Sequence, residues 1–162
     1  YKFEDLITDN FTDQLRAIGY TVSDQTRSGR SKKYSGELDI MIRDTRNSPI
    51  SIIEAMNIRS FAEGNKSIIE HLNKLLIDYD TNGLARNFML VYSRADNFDM
   101  IWKKYQNYVE NLPNHELYNK NAKLISHSIK KISKNSNVRI LVSQHERNNS
   151  FTEVYHYVIN MN

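Results

Sequence analysis

The chain has 162 residues, of which 40% are hydrophobic, 10% aromatic and 25% charged, enough for one domain with a real core and too apolar for a disordered chain. It contains no cysteine, which excludes disulfide frameworks, thiol nucleophiles and cysteine-type zinc sites and leaves Asp, Glu and His as the metal ligands on offer. The net charge of +3 fits nucleic-acid binding without requiring it, and no apolar run approaches the roughly 18 residues that span a bilayer, so a cytoplasmic protein without membrane contact is expected.

Residues 3 to 18 place Phe3, Leu6, Ile7, Phe11, Leu15 and Ile18 at helical spacing, and Gly19 stops the helix. Tyr20 to Thr26 alternates as a strand, and the basic stretch RSGRSKKYSG at 27 to 36 reads as a loop or hairpin tip. Glu37 to Arg43 is a second strand, DTRNSP a turn, and Ile50 to Ile58 a third strand. A helix over 63 to 79 buries Ile68, Ile69, Leu72, Leu75, Leu76 and Tyr79, and the apolar run Asn87 to Tyr92 reads as a fully buried strand. Residues 97 to 111 suit a helix with Phe98, Ile101, Trp102, Tyr105 and Val109 inward, and 124 to 132 read as a further short helix. Two alternating runs around Arg147-Asn148-Asn149-Ser150 predict a closing hairpin, on which His145 and His156 are expected to lie on a partly exposed face. The order predicts an α/β fold, a mixed sheet flanked by helices, as a single domain over 1–162. The first residue is Tyr rather than Met, which suggests a piece of a longer polypeptide with linked sensor or regulatory domains.

Two carboxylates interrupt the second and third strands. Alternation puts Glu37, Asp39 and Met41 on one face of the second strand, and Ile50, Ile52, Glu54, Met56 and Ile58 on one face of the third. The turn between them is short enough to make the strands antiparallel neighbours, so Asp39 and Glu54 are expected a few ångströms apart. Facing carboxylates in a partly buried cleft raise a pKa or call for a cation, and oxygen ligands suit magnesium or manganese. An Asp in a strand can also lie on a solvated face or pair with an arginine such as Arg43, and that alternative stands beside the metal reading.

With Glu4 on a first helix ahead of Gly19-Tyr20, then Gly36-Glu37-Leu38-Asp39, then Ile52-Ile53-Glu54-Ala55 before a helix, the sequence resembles the PD-(D/E)xK nuclease superfamily over roughly residues 3 to 92. The resemblance implies a restriction-endonuclease-like αβββαβ core, followed here by a C-terminal helix and β-hairpin. It further implies Mg2+- or Mn2+-dependent hydrolysis of DNA by an endonuclease that leaves a 5′-phosphate. Asp39 matches the metal-binding Asp, Glu54 the acidic residue of the (D/E)xK element, and Glu4 the helix Glu that some members add. RNA is not excluded as substrate, a homodimer is a common arrangement in the family, and some members act in bacterial antiviral defence.

One position departs from the pattern. Two residues after Glu54, where the family carries Lys, stands Met56. The lysine helps to position or deprotonate the attacking water and neutralises phosphate charge, and methionine does neither. Either the function has moved, or a second metal supplies it, or the domain is a degenerate fold that binds nucleic acid or protein. At 100° per residue, Lys66 and His71 flank the apolar stripe of the second helix, whereas Lys74 points nearly away, which makes Lys66 and His71 the replacement candidates. Asn57 faces the opposite side unless the strand bulges. Arg27, Arg30, Lys32 and Lys33 lead into the Asp39 strand and are candidate phosphate contacts. Lys130, Lys131 and Lys134 form a more peripheral basic cluster.

Overall fold

Apolar alternation along the strands sorts the core into two layers, one on each side of a single mixed sheet. The computed structural model describes residues 3–23, 40–61, 66–130 and 136–162, with the backbone alone for 3–5. Helix α1 (Phe3–Ala17) precedes strands β1 (Thr21–Ser23), β2 (Ile40–Arg43) and β3 (Pro49–Ile58). Helix α2 (Ser67–Asn73) continues into a π-helical segment (Lys74–Tyr79) before β4 (Arg86–Ser93). Helix α3 (Phe98–Glu110), a short 3-10 turn (Leu112–Asn114) and strands β5 (Lys123–Lys130), β6 (Val138–Arg147) and β7 (Ser150–Asn160) complete the chain. Among the described residues the strands form one seven-stranded sheet in the order β1-β2-β3-β4-β7-β6-β5. β3 runs parallel to β4 and β4 parallel to β7, and the other pairs are antiparallel.

The larger layer packs Ile52, Met56 and Ile58 of β3, with Met89 and Val91 of β4, against Ile68, Ile69 and Leu72 of α2 and Trp102, Tyr105 and Val109 of α3. The smaller layer sets Ile40, Ile42, Ile53, Ala55, Leu90 and Tyr92 beneath Ile7, Phe11 and Leu15 of α1. Adjacent residues of β3 thus serve opposite layers, as a strand with two buried faces requires.

Local signals set the joints. Gly19, at φ +98, ends α1: its own N–H reaches the Arg16 carbonyl and the Tyr20 N–H reaches that of Leu15, a glycine-terminated Schellman arrangement. Asn148 and Asn149 both adopt positive φ in the two-residue turn between β6 and β7, which matches the right-handed twist of the strands. The Asn97 side chain accepts from the Met100 N–H at 2.9 Å and caps α3.

The structure corrects several expectations. Residues 124 to 132 were expected to form a helix, but Lys123–Lys130 is a strand paired to β6. Ile and Ser spaced as Leu124-Ile125-Ser126-His127-Ser128-Ile129 fit either period, and the available edge of β6 decides between them. Of the expected 63–79 helix, residues 63–65 lie outside the described residues, Ser67–Asn73 is α-helical and Lys74–Tyr79 is π-helical. Leu6 and Ile18, expected on the inner face of α1, are 61% and 72% exposed. His145 and His156, expected on a half-exposed hairpin, are fully buried against α3 and the segment leading into β5. The predicted part of the second strand from Glu37 to Asp39 lies outside the described residues.

Candidate functional site

In β3 the inward row runs Ile52, Glu54, Met56, and the carboxylate is the one polar member of that trio. Hydrogen-bonded neighbours β2 and β4 flank the strand, and α2 crosses the face on which Glu54 projects. Glu54 is 1% exposed. Its Oε1 lies 2.8 Å from Nδ1 of His71, in the last turn of α2, and Oε2 is buried with no hydrogen-bond partner among the described residues. Burial pushes the Glu54 carboxyl above its ordinary value near 4.5, while the His71 bond and the charge of Lys74 pull it back.

An ionised carboxylate only accepts, so against an ionised Glu54 the His71 Nδ1–H donates to Oε1 and Nε2 faces away from Glu54. The His71 side chain is 23% exposed, which makes it the link between a buried carboxylate and solvent. Of the two replacement candidates for the missing lysine, only His71 touches Glu54. Lys66 is half exposed, and its ammonium is held by Glu116, which raises its pKa. Lys74, expected to point away, is half-buried and acts electrostatically on Glu54. Residues three apart on a helix are neighbours, so Lys74 lies beside His71, where the helix passes into its π segment. The apolar stripe was therefore the wrong reference for Lys74, and its spacing from His71 is the signal that finds it.

Met56 is 1% exposed and packed in the larger core layer. The β3–β4 register is unbroken from Ile53 to Ile58, so no bulge turns Asn57 toward Glu54. Glu4 lies in the first turn of α1, whose inward residues pack on the face of the sheet opposite Glu54, and its side chain is outside the described residues. Asp39, Arg27, Arg30, Lys32 and Lys33 also lie outside them, as do Lys131 and Lys134. Lys130 is exposed on β5. Arg43 donates to Ser23 Oγ at 3.2 Å and to the Asn47 carbonyl at 2.9 Å. Among the described residues no group of three His, Asp or Glu side chains converges, so Glu54 and His71 stand as a pair.

Two further buried polar groups escaped the sequence reading. Tyr105 Oη lies 2.8 Å from His156 Nδ1, His156 Nε2 lies 2.8 Å from Ser143 Oγ, and Ser143 Oγ lies 2.8 Å from His145 Nε2. The chain ends at the Ala122 carbonyl, 3.4 Å from His145 Nδ1. One direction satisfies every atom: Tyr105 donates to His156, His156 to Ser143, Ser143 to His145, and His145 to the carbonyl, with both imidazoles neutral. Burial pushes His145 down to about 4 and His156 down to about 3, so both suit a structural role better than acid-base work at neutral pH. The second group pairs Arg147 with Asp80 at 2.8 Å, and Asn87 and the Leu84 N–H complete the Asp80 carboxylate. It pins the end of the π-helical segment to the β6–β7 hairpin. A cavity of about 740 Å³ between α1 and the sheet is lined by apolar side chains including Phe11, Leu15, Phe88 and Tyr157, on the face away from Glu54.

The described chain is thus an α/β domain with a mixed sheet flanked by helices, carrying a carboxylate–imidazole pair on its third strand and second helix. Compared with known proteins, the chain matches no family model, no curated protein and no solved structure. No helix among the described residues is long and apolar enough to cross a membrane.

Proposed function

We propose that the chain is a metal-dependent nuclease domain of PD-(D/E)xK type, an endonuclease acting on DNA, in which His71 takes over the work of the lysine that Met56 displaces. The observation that carries this reading is Glu54: a carboxylate at 1% exposure, engaged on one oxygen by His71 and without a partner among the described residues on the other. Such an oxygen is costly to bury unless a cation completes it. The order of α1, the β1–β2–β3 antiparallel run, α2 and the parallel β4 supports the same reading, because it is the succession that the resemblance implies.

Glu54 Oε2 and Asp39 would hold Mg2+ or Mn2+. Oxygen donors suit both ions. When bound, the ion supplies charge stabilisation at the scissile phosphate. With Nδ1–H fixed on Glu54, His71 presents Nε2 as the acceptor for a proton from the attacking water. Lys74 adds positive charge beside it, Glu4 assists through a water or second ion, and Arg27, Arg30, Lys32 and Lys33 hold phosphates. A place in antiviral defence is part of this proposal through the resemblance alone.

The test is plasmid cleavage with magnesium or manganese, with chelator controls, for the wild type and for Asp39→Ala and Glu54→Ala. Metal-dependent nicking that falls at least about 100-fold in both variants is expected. Cleavage surviving both substitutions would sink the site. The buried, core-packed Met56 favours a second reading, a degenerate fold that binds nucleic acid or protein, and retention of plasmid without cleavage would select it.

A further inference from the structure

The two faces of the sheet are covered unequally. α2 and α3 share one face, and on the other α1 is the single helix packed among the described residues. A helix with its side chains is about 10 Å wide, whereas β2, β3, β4 and β7, spaced about 4.8 Å apart, occupy about 19 Å. α1 cannot close over all four, and the cavity of about 740 Å³ between it and the sheet is what remains. That volume falls in the range of small-molecule sites, roughly 300–1,000 Å³, and far exceeds the voids of a packed core.

The cavity is elongated and has a polarity. Its floor follows the row Arg86, Phe88, Leu90 and Tyr92 of β4, about 20 Å long at 3.3 Å per residue. Arg86 is the one charged side chain among the lining residues, and it stands at one end of that row. Ser51, also in the lining, donates to the Arg86 carbonyl at 3.0 Å, and Ile50 beside it is 46% exposed at the mouth. The far end is formed by the uncharged Tyr92, Ile159 and Met161, where the Met161 N–H donates to the Ser93 carbonyl at 2.8 Å.

We propose that this cavity binds a free long-chain carboxylate, a fatty acid whose chain lies along β4 and whose headgroup meets Arg86. An extended chain advances about 1.25 Å per carbon, from a C–C bond near 1.5 Å, so the row accommodates up to about 16 carbons. The Arg86 side chain is 60% exposed, and its contacts among the described residues are an ion pair of Nε with Glu153 at 3.8 Å and the Tyr155 ring at 5.4 Å. Glu153 is in turn engaged by Tyr155 Oη at 3.2 Å. The fork of terminal guanidinium nitrogens is thereby left to a ligand, and its geometry matches a carboxylate. One cation at the end of one apolar row suits a single chain with a single charge rather than a two-chain lipid. The cavity lies on the face of the sheet opposite Glu54, so this inference goes beyond the nuclease reading and does not depend on it.

The experiment is isothermal titration calorimetry with octanoate, decanoate, dodecanoate and tetradecanoate below their micelle concentrations, and with 1-decanol as the uncharged control. Each added methylene is expected to tighten binding about fourfold, so dodecanoate binds about 16-fold tighter than decanoate. Decanoate is expected to bind about tenfold tighter than decanol, because only the carboxylate engages the guanidinium. Arg86→Gln, at an exposed position, is expected to abolish that preference while decanol binding stays within about twofold. Ile50→Glu sets a negative charge at the mouth and is expected to weaken decanoate at least about fivefold, with decanol again little changed and the circular dichroism spectrum kept. No binding of tetradecanoate, an affinity that does not grow with chain length, equal binding of decanoate and decanol, or decanoate binding unchanged in both variants would each overturn the proposal.

Discussion

Replacing Glu54 by methionine separates a carboxylate kept for function from one kept for stability. In the wild type a carboxyl group at 1% exposure has one oxygen lacking a partner among the described residues, so its burial works against folding. Methionine has a similar volume and joins the Ile52 and Met56 row without a polar atom to satisfy. His71 loses its acceptor, but at 23% exposure it reaches water. Swapping buried ionic groups for apolar ones of like size is neutral or stabilising by about 1–4 kcal/mol, and the stranded imidazole trims this to about 1–2 kcal/mol. For a domain of 162 residues that is a rise in Tm of about 2–8 °C. Differential scanning calorimetry at pH 7 without metal measures it. The pH dependence has a definite sign: a carboxyl whose native pKa is raised gives the native state more bound protons than the unfolded chain. Its cost to stability is then full above the raised pKa and disappears as pH falls through it toward 4.5. The gain from Glu54→Met should therefore shrink in acid. Manganese should raise Tm in the wild type and not in the variant. A variant that melts lower than wild type at pH 7 would refute the reasoning and make Glu54 a structural ion-pair member.

His71→Gln should lower metal-dependent cleavage by about 10²–10⁴-fold while Lys66→Ala stays within about twofold, because Lys66 is engaged with Glu116 at the surface; initial rates on plasmid decide this. Buried neutral His145 and His156 resist protonation down to about 4 and about 3, whereas the unfolded chain takes protons near 6.5, so stability falls as pH drops below 6.5. At pH 5 the loss is about 2 kcal/mol per histidine, and urea denaturation at pH 7 and pH 5 reads it; an unchanged midpoint would mean that both titrate in the native state. Arg147→Met leaves the Asp80 carboxylate, 2% exposed, without its cation and should cost about 3–5 kcal/mol by the same denaturation assay.

The elements most legible in the sequence were those whose period and punctuation agreed. The first helix with its Gly19 stop, the Asn148-Asn149 hairpin and the inward face of α3 all combine a clear apolar spacing with a turn or cap residue. β5 was misread because its spacing fits helix and strand alike, and only β6 beside it breaks the tie. The inner face of α1 was overextended because Leu6 sits about 100° around the helix from the Ile7, Phe11 and Leu15 stripe and Ile18 lies beyond Ala17, where the helix has ended. At the site, alternation correctly brought Glu54 to one face and helical geometry brought His71 to it. The Tyr105–His156–Ser143–His145 chain had no sequence signature, since it joins four residues from α3, β6 and β7 through register alone.

Met56 and His71 make physical sense as one rearrangement. Residues two apart on a strand are about 6.8 Å apart, so a side chain at 56 starts close to Glu54 but within the larger apolar core layer, to which Ile68, Ile69 and Leu72 of α2 also belong. A lysine there would have to carry its charge inside an apolar layer with Glu54 as its main compensation, which pushes its pKa down and ties its proton to that one partner. A histidine on α2 approaches the same carboxylate from the solvent side. It keeps one nitrogen on Glu54 and leaves the other where protons can exchange with water, while methionine at 56 closes the core beneath. On the proposed nuclease reading, the packing under β3 and the imidazole above it amount to one function placed a few ångströms outward, on the helix that covers the strand.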